Sequence, residues 1–446
     1  MTADNIIELT PFRADLTRAL ARRGERLLAA PDLAAEVATL EPLEAYYIVR
    51  EIGLDLALPI LLELSPEQLE ACVDLDCWHR SDFGPDRLDE WLAAFALAEP
   101  TAMAEAFFAL DQVVQLLYLA QTVTVYDPDT DQVPPEDEER RMARAITPDG
   151  FFILELRTEL PLKIHPFALL DALYQVDAGA AFQLLSDIRV DLPMQIEEEA
   201  LRFRNGRLQD LGFAQPDEAI VLFTRPTQRQ PAPRPGYFSD HQLTRVPAVY
   251  AAPLQETSLL QRALSLVTDR QSLERLEQEL VWTINSAIIA YGERTREISQ
   301  ITDITERVRD TVSLGLEVLL AAEEGGRAPT SAAAAAKAAD LLEVWPMAEL
   351  FRHGFGATLV LQKEVRQAMD EPRFRAWYDL ADSRQSDEPG DRLERAFVAA
   401  LLGHHPLRGG VDPAKAEAVK AFSCRAEIEV ALARLHRLVA RLGRQA

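Results

Sequence analysis

The stretch Leu58-Pro59-Ile60-Leu61-Leu62-Glu63-Leu64-Ser65-Pro66-Glu67-Gln68-Leu69-Glu70-Ala71-Cys72-Val73-Asp74-Leu75-Asp76 decides the fold class. Ser65 is a natural N-cap, Pro66 fits the first helical position where its missing N–H costs nothing, and Gln68 can complete a capping box. The apolar runs on either side therefore read as two helices meeting at a tight joint. Such joints in series build curved helical stacks.

Working outward, Leu16, Leu20, Leu27 and Leu28 give an earlier apolar face, and Pro42 opens a unit carrying Tyr46, Val49 and Ile52 before Gly53 stops it. Superposing Ser65-Pro66 on Glu99-Pro100 aligns Leu58 with Leu92, Leu69 with Met103 and Val73 with Phe107, the pattern of a helical-hairpin repeat. The period changes at Thr122-Val123-Thr124-Val125-Tyr126, where β-branched and aromatic residues read as a strand, and Phe151 to Leu156 reads as a second. Between them lies an acidic, proline-bearing loop from Asp129 to Glu139. It lacks the ligand spacing and central glycine of an EF-hand.

Helices resume at His165-Pro166 and again from Pro193 to Leu211. Six prolines between Thr224 and Pro253 prevent both helix and central strand there, which predicts a connector. Beyond it the helical spacing is longer: Leu254 to Tyr291, Thr295 to Glu324, Ser331 to Val344, Pro346 to Asp370, and two or three helices from Arg392 to Leu442. The expectation is a mainly α protein. Residues 1–223 form stacked helical hairpins with a small β-ribbon near 122–156, residues 224–253 a proline-rich connector, and residues 254–446 a helical bundle.

Composition narrows the function classes. The chain has 446 residues, 46 of them Lys or Arg and 72 Asp or Glu, giving a formal net charge of -26. That balance opposes nucleic acid and anionic membrane surfaces, which need a basic face. No run reaches the roughly 18 uncharged apolar residues of a membrane span, which predicts no membrane insertion. The first residues lack the basic start and apolar core of a signal peptide, and three unevenly spaced cysteines suit a reducing compartment; both predict a cytoplasmic protein.

Cys72, Cys77 and His79 are the nearest approach to a metal-ligand set, since thiolate and imidazole are both zinc donors. The other reading makes the cysteines small buried apolar residues, with Trp78 anchoring a helix end. His404-His405 before Pro406 reads as a solvated turn, and the glycines of His353-Gly354-Phe355-Gly356 as permitting close helix contact. There is no Gly-x-Ser-x-Gly elbow, phosphate-cradling loop or catalytic cysteine signature, so no catalytic residue and no cofactor is assigned. The most distinctive segment runs from Glu197 to Phe213. As structure it is an ion-paired helix, with Glu198 and Arg202 one turn apart and Arg207 and Asp210 three apart. As function it presents Arg202, Asn205, Arg207 and Asp210 to a partner or an anionic ligand.

That segment, with Asp217-Glu218-Ala219, Leu75-Asp76-Cys77-Trp78 and Ala421-Phe422-Ser423-Cys424-Arg425-Ala426-Glu427, resembles a family of bacterial proteins known only as a domain of unknown function. The resemblance spans most of the chain and implies no chemistry. The Ser65-Pro66-Glu67-Gln68 joint also looks like units of the cytoplasmic helical domain of bacterial magnesium transporters. Taken together, the sequence predicts a cytoplasmic helical scaffold or adaptor that binds a protein partner. The alternatives are a ligand- or metal-dependent regulator, and an enzyme with a site between the two halves.

Overall fold

In the computed structural model, residues 20–133, 143–157, 161–190, 193–226, 231, 258–291, 298–323, 331–379, 389–409 and 420–444 are described. The chain is mainly α and divides into two compact units at Leu211 and Gly212. The first unit begins with a helix described over residues 20–28 (α1), then Leu33–Ala38 (α2), Pro42–Ile52 (α3), Leu58–Leu61 (α4) and Pro66–Asp76 (α5). A two-stranded hairpin, Trp78–His79 (β1) and Asp82–Phe83 (β2), leads to Pro85–Ala96 (α6), Pro100–Phe108 (α7) and Gln112–Thr122 (α8). Strands Val123–Tyr126 (β3), Arg144–Ile146 (β4) and Ile153–Leu156 (β5) follow, then Pro166–Val176 (α9), Ala178–Val190 (α10) and Pro193–Asp210 (α11).

Proline opens helix after helix. Pro42, Pro59, Pro66, Pro85, Pro100 and Pro166 all occupy the first turn, where no intrahelical N–H bond is lost. The capping box at Ser65 is complete: the Gln68 N–H donates to Ser65 Oγ at 3.2 Å, and the Ser65 N–H to Gln68 Oε1 at 2.9 Å. Successive helices then stack, α3 on α5, α6 on α7, α7 on α9, and α8 on α11. The expected ribbon is present as β3 paired antiparallel with β5, Val123 opposite Leu156 and Tyr126 opposite Ile153. It carries a third strand, because β4 pairs on the other edge of β5. Arg144-Ala145-Ile146 is too short to show alternation in sequence, and its Arg144 is ion-paired to Glu155 across the ladder at 2.7 Å. Part of the acidic loop, residues 134–142, lies outside the described residues.

The second unit takes in residues ahead of the expected connector. Pro216–Val221 (α12) packs on Arg270–Tyr291 (α14), and the Phe223 ring lies 5.2 Å from Tyr291 and 5.3 Å from Phe351. That aromatic burial draws 212–223 out of the first unit, while most of 224–253 lies outside the described residues. Leu259–Leu264 (α13) precedes α14, so the single helix expected from Leu254 is two. The remaining helices are Ile298–Glu323 (α15), Ser331–Val344 (α16), Met347–Met369 (α17), Pro372–Asp379 (α18), Pro389–Leu402 (α19) and Arg425–Arg444 (α20). Leu361, Val365, Phe374, Trp377, Phe397, Phe422 and Leu435 form a continuous core among them.

Gly354 does permit a close helix approach. A Cβ there would overlap the Thr311 carbonyl oxygen, and one on Gly315 would overlap the Leu350 carbonyl oxygen, so α15 and α17 meet backbone to backbone. Among the described residues no single helix is long and apolar enough to cross a membrane. The pair α7 and α8 passes such a test only jointly and is bent by 120°. Replacing Gly354 with Ala should destabilise the protein by about 1–3 kcal/mol through overpacking, read as a lower urea midpoint. Gly206→Ala, on α11 with open space around the added carbon, should instead gain about 0.5–1 kcal/mol from helix propensity.

Candidate functional site

Every residue of α5 from Gln68 to Asp76 is buried, including four polar side chains. Burial of such groups is costly unless each is hydrogen-bonded or paired. Gln68 Nε2 donates to the carbonyls of Val37 and Leu40 at 2.9 and 2.8 Å. Glu70 Oε2 accepts the Asp111 N–H at 2.7 Å. The Arg207 guanidinium reaches Asp74 at 2.7 and 3.0 Å, Asp111 at 2.8 Å and Glu70 at 2.9 Å. Arg204, one turn earlier on α11, is buried and donates to the backbone carbonyls of Asp74 and Arg80 at 2.9 and 3.3 Å. Its guanidinium lies over Trp78, and the Arg80 carbonyl it holds belongs to a turn residue in the left-handed region, φ 57°.

The electrostatics follow. Burial works against the Arg207 charge, but Asp74, Glu70 and Asp111 hold it above its ordinary value. Burial lowers Arg204 to about 10, still charged near neutrality. Burial pushes Glu70 up to about 7 against the pull of Arg207, with Asp74 adding to the rise. This network ties α11 to α5 and α8; its arginines are spent on their own chain.

The sequence-derived residues are thus divided. Arg207 is enclosed by three carboxylates, Glu70 and Asp74 of α5 and Asp111 at the start of α8. Asp210 is exposed and Asn205 half-buried. Arg202 is 70% exposed and pairs with Glu199, not with Glu198. Cys72 and Cys77 are buried and in no disulfide, and His79 is exposed on β1. Burial, with Asp76 nearby, pushes the Cys72 thiol up, which disfavours the thiolate that binds metal. Among the described residues no group of three His, Cys, Asp or Glu is placed to hold a metal ion. In the second unit, His405 is not a solvated turn residue: its ring lies 4.0 Å from Phe223 and 4.4 Å from Tyr291. Burial, with His404 and Arg307, lowers it to about 4.

A cleft of about 610 Å³ opens elsewhere on the first unit. Its first wall is the end of α3 and the loop after it, where Gly53 at φ 90° turns the chain and Leu54, Asp55 and Leu56 follow. The second wall is Glu90 and Ala93 of α6 with Leu97 just past its end. Lys163, ahead of α9, lines it too. The buried Asp89 carboxylate accepts the N–H groups of Lys163 and Ile164 at 2.5 and 3.0 Å, which fixes that segment. Arg50 stands at the inner end. Its Nη1 is 3.5 Å from Asp76, a carboxylate that already accepts from Trp91 Nε1 at 2.8 Å and the Tyr46 hydroxyl at 3.3 Å.

Arg50, Leu56, Leu97 and Lys163 were not singled out by sequence. They come from three separate stretches, and their only local signal is the pair of leucines around Asp55, just after the helix-stopping Gly53. A sequence model of the family of unknown function DUF6178 matches residues 7–443, so the chain belongs to that family. No curated protein and no solved structure matches it.

Arg207→Ala leaves Asp74 buried without its counter-charge and should cost roughly 3–5 kcal/mol, whereas Arg202→Ala should stay within about 0.5 kcal/mol; urea unfolding separates the two. Glu70 carries a pH signature. Its folded value lies above the ordinary 4.5, so the native state binds a proton that the unfolded chain releases, and stability should fall as pH rises from about 4.5 to about 7. Glu70→Gln should flatten that window and exceed wild-type stability at alkaline pH by about 1–3 kcal/mol, read from urea midpoints on both sides of it.

Proposed function

We propose that this member of the DUF6178 family is a cytoplasmic helical adaptor that holds a segment of a protein partner in the cleft between α3 and α6. The observation that carries the reading is the exposure of Leu56 and Leu97, 69% and 61%, on the walls of a concave site. Isolated surface leucines need no explanation, but large aliphatic side chains lining one concave site leave apolar area that a partner can remove from water. Three cysteines outside any disulfide accord with a reducing compartment.

A photoreactive phenylalanine analogue placed at Leu97, and separately at Leu56, tests the reading in living cells. Irradiation should yield the same crosslinked polypeptide from both positions, and none from a control at the exposed Val430 of α20. A folded, abundant protein that crosslinks to nothing from either cleft position would end the adaptor reading.

A further inference from the structure

We infer that His405 is an acid-sensitive wedge: its uncharged ring completes the aromatic cluster that holds Phe223, and taking up a proton frees Phe223 and the end of α12 from the second unit. The Phe223 ring lies 5.2 Å from Tyr291 of α14, 5.3 Å from both Phe351 and Phe355 of α17, and 4.0 Å from His405 in the loop after α19. His405 in turn lies 4.4 Å from Tyr291 and 6.0 Å from Phe355. An imidazole thus stands where a wholly apolar ring would pack. What it holds is weakly anchored otherwise: α12 buries only Ala219, so Leu222 and Phe223 just past its end carry much of its docking. The inference is independent of the cleft and of the adaptor reading.

The surroundings favour the neutral ring. His405 Nδ1 is buried and meets no hydrogen-bond partner, so an imidazolium would carry a buried N–H with nothing to accept it. The charges that act on it are cationic: His404 beside it, and Arg307 of α15, whose guanidinium lies 5.6 Å over the Tyr291 ring. Asp303 and Glu306 on the same stretch of α15 do not offset them. On α17, Arg352 is paired with Glu349 and donates to the Thr224 carbonyl, and in the loop of His405 itself Arg408 is paired with Glu427. Once Phe223 leaves, His405 meets water and returns towards its ordinary 6.5, so opening takes up a proton. The joint is therefore at full strength above pH 6.5 and weakens as pH falls towards about 4.

Hydrogen exchange of the full chain, read by mass spectrometry and corrected for the intrinsic pH dependence of exchange, tests this. The N–H groups of Leu222 and Phe223 donate to the carbonyls of Ala219 and Ile220, so they report the docked turn. Their protection should fall about thirtyfold between about pH 7.5 and about pH 5, while that of Leu435 and Leu438 in the α20 core changes by less than about threefold. His405→Phe, which keeps a ring that takes no proton, should hold its protection across that range; His405→Leu serves the same purpose where the larger ring does not pack. The His405 Cε1–H resonance, identified by its absence from either variant, should show no titration above about pH 5. Four results would overturn the inference: a wild-type fall below about threefold, an equal fall at Leu435 and Leu438, an undiminished fall in both variants, or a His405 resonance that titrates near 6.5.

Discussion

The first unit is organised by the need to satisfy the polar side chains of one buried helix. An isolated carboxylate in a protein interior costs several kcal/mol, so α5 is compatible with burial only because each of its acids meets a donor from a different element. Gln68 fixes the turn after α2, Glu70 the start of α8, Asp74 the inner face of α11, and Asp76 the side chains of Trp91 on α6 and Tyr46 on α3. Apolar packing can slide by a fraction of a turn; these bonds cannot. They set the register in which the surrounding helices stack. They also place Arg50 and the α6 wall, because both approach Asp76 from the cleft side.

The second unit handles buried polarity differently. There the side chains serve backbone groups at helix ends: Glu279 accepts the Met347 N–H that begins α17, Asn285 holds the Gly212 carbonyl, and Gln362 holds that of Gly403. Buried Thr283, Ser286 and Thr311 return their hydroxyls to carbonyls four residues earlier in their own helices. Helix spacing is left to the apolar core and to the glycine crossing of α15 and α17.

Much of this architecture was legible in the sequence, because the signals concerned are local. A capping box, a proline in the first turn and a three-and-four apolar spacing each involve residues within one or two turns, and they locate α5, α16 and α17 closely. The same locality explains the misses. The hairpin β1–β2 has only two residues per strand, and its turn holds Arg80 where glycine would be the usual signal. Arg207 was visible beside Asp210, three residues on; Asp74, which its guanidinium reaches, is 133 residues away, and no spacing rule reaches that far. The cleft assembles from Arg50 to Leu56, Glu90 to Leu97 and Lys163, so its parts read separately as a helix end, an amphipathic helix and a loop.

The pairing of Asp74 with Arg207 has an evolutionary consequence. Replacing Arg207 deprives a fully buried carboxylate of its hydrogen-bonded guanidinium, whereas replacing Asp74 leaves Arg207 paired with Glu70 and Asp111, so the two positions tolerate change unequally. A descendant lineage can change the exposed leucines of the cleft one at a time, while Arg207 is held by three carboxylates at once. Substitution is thereby easier at the rim of the cleft than in the middle of α5.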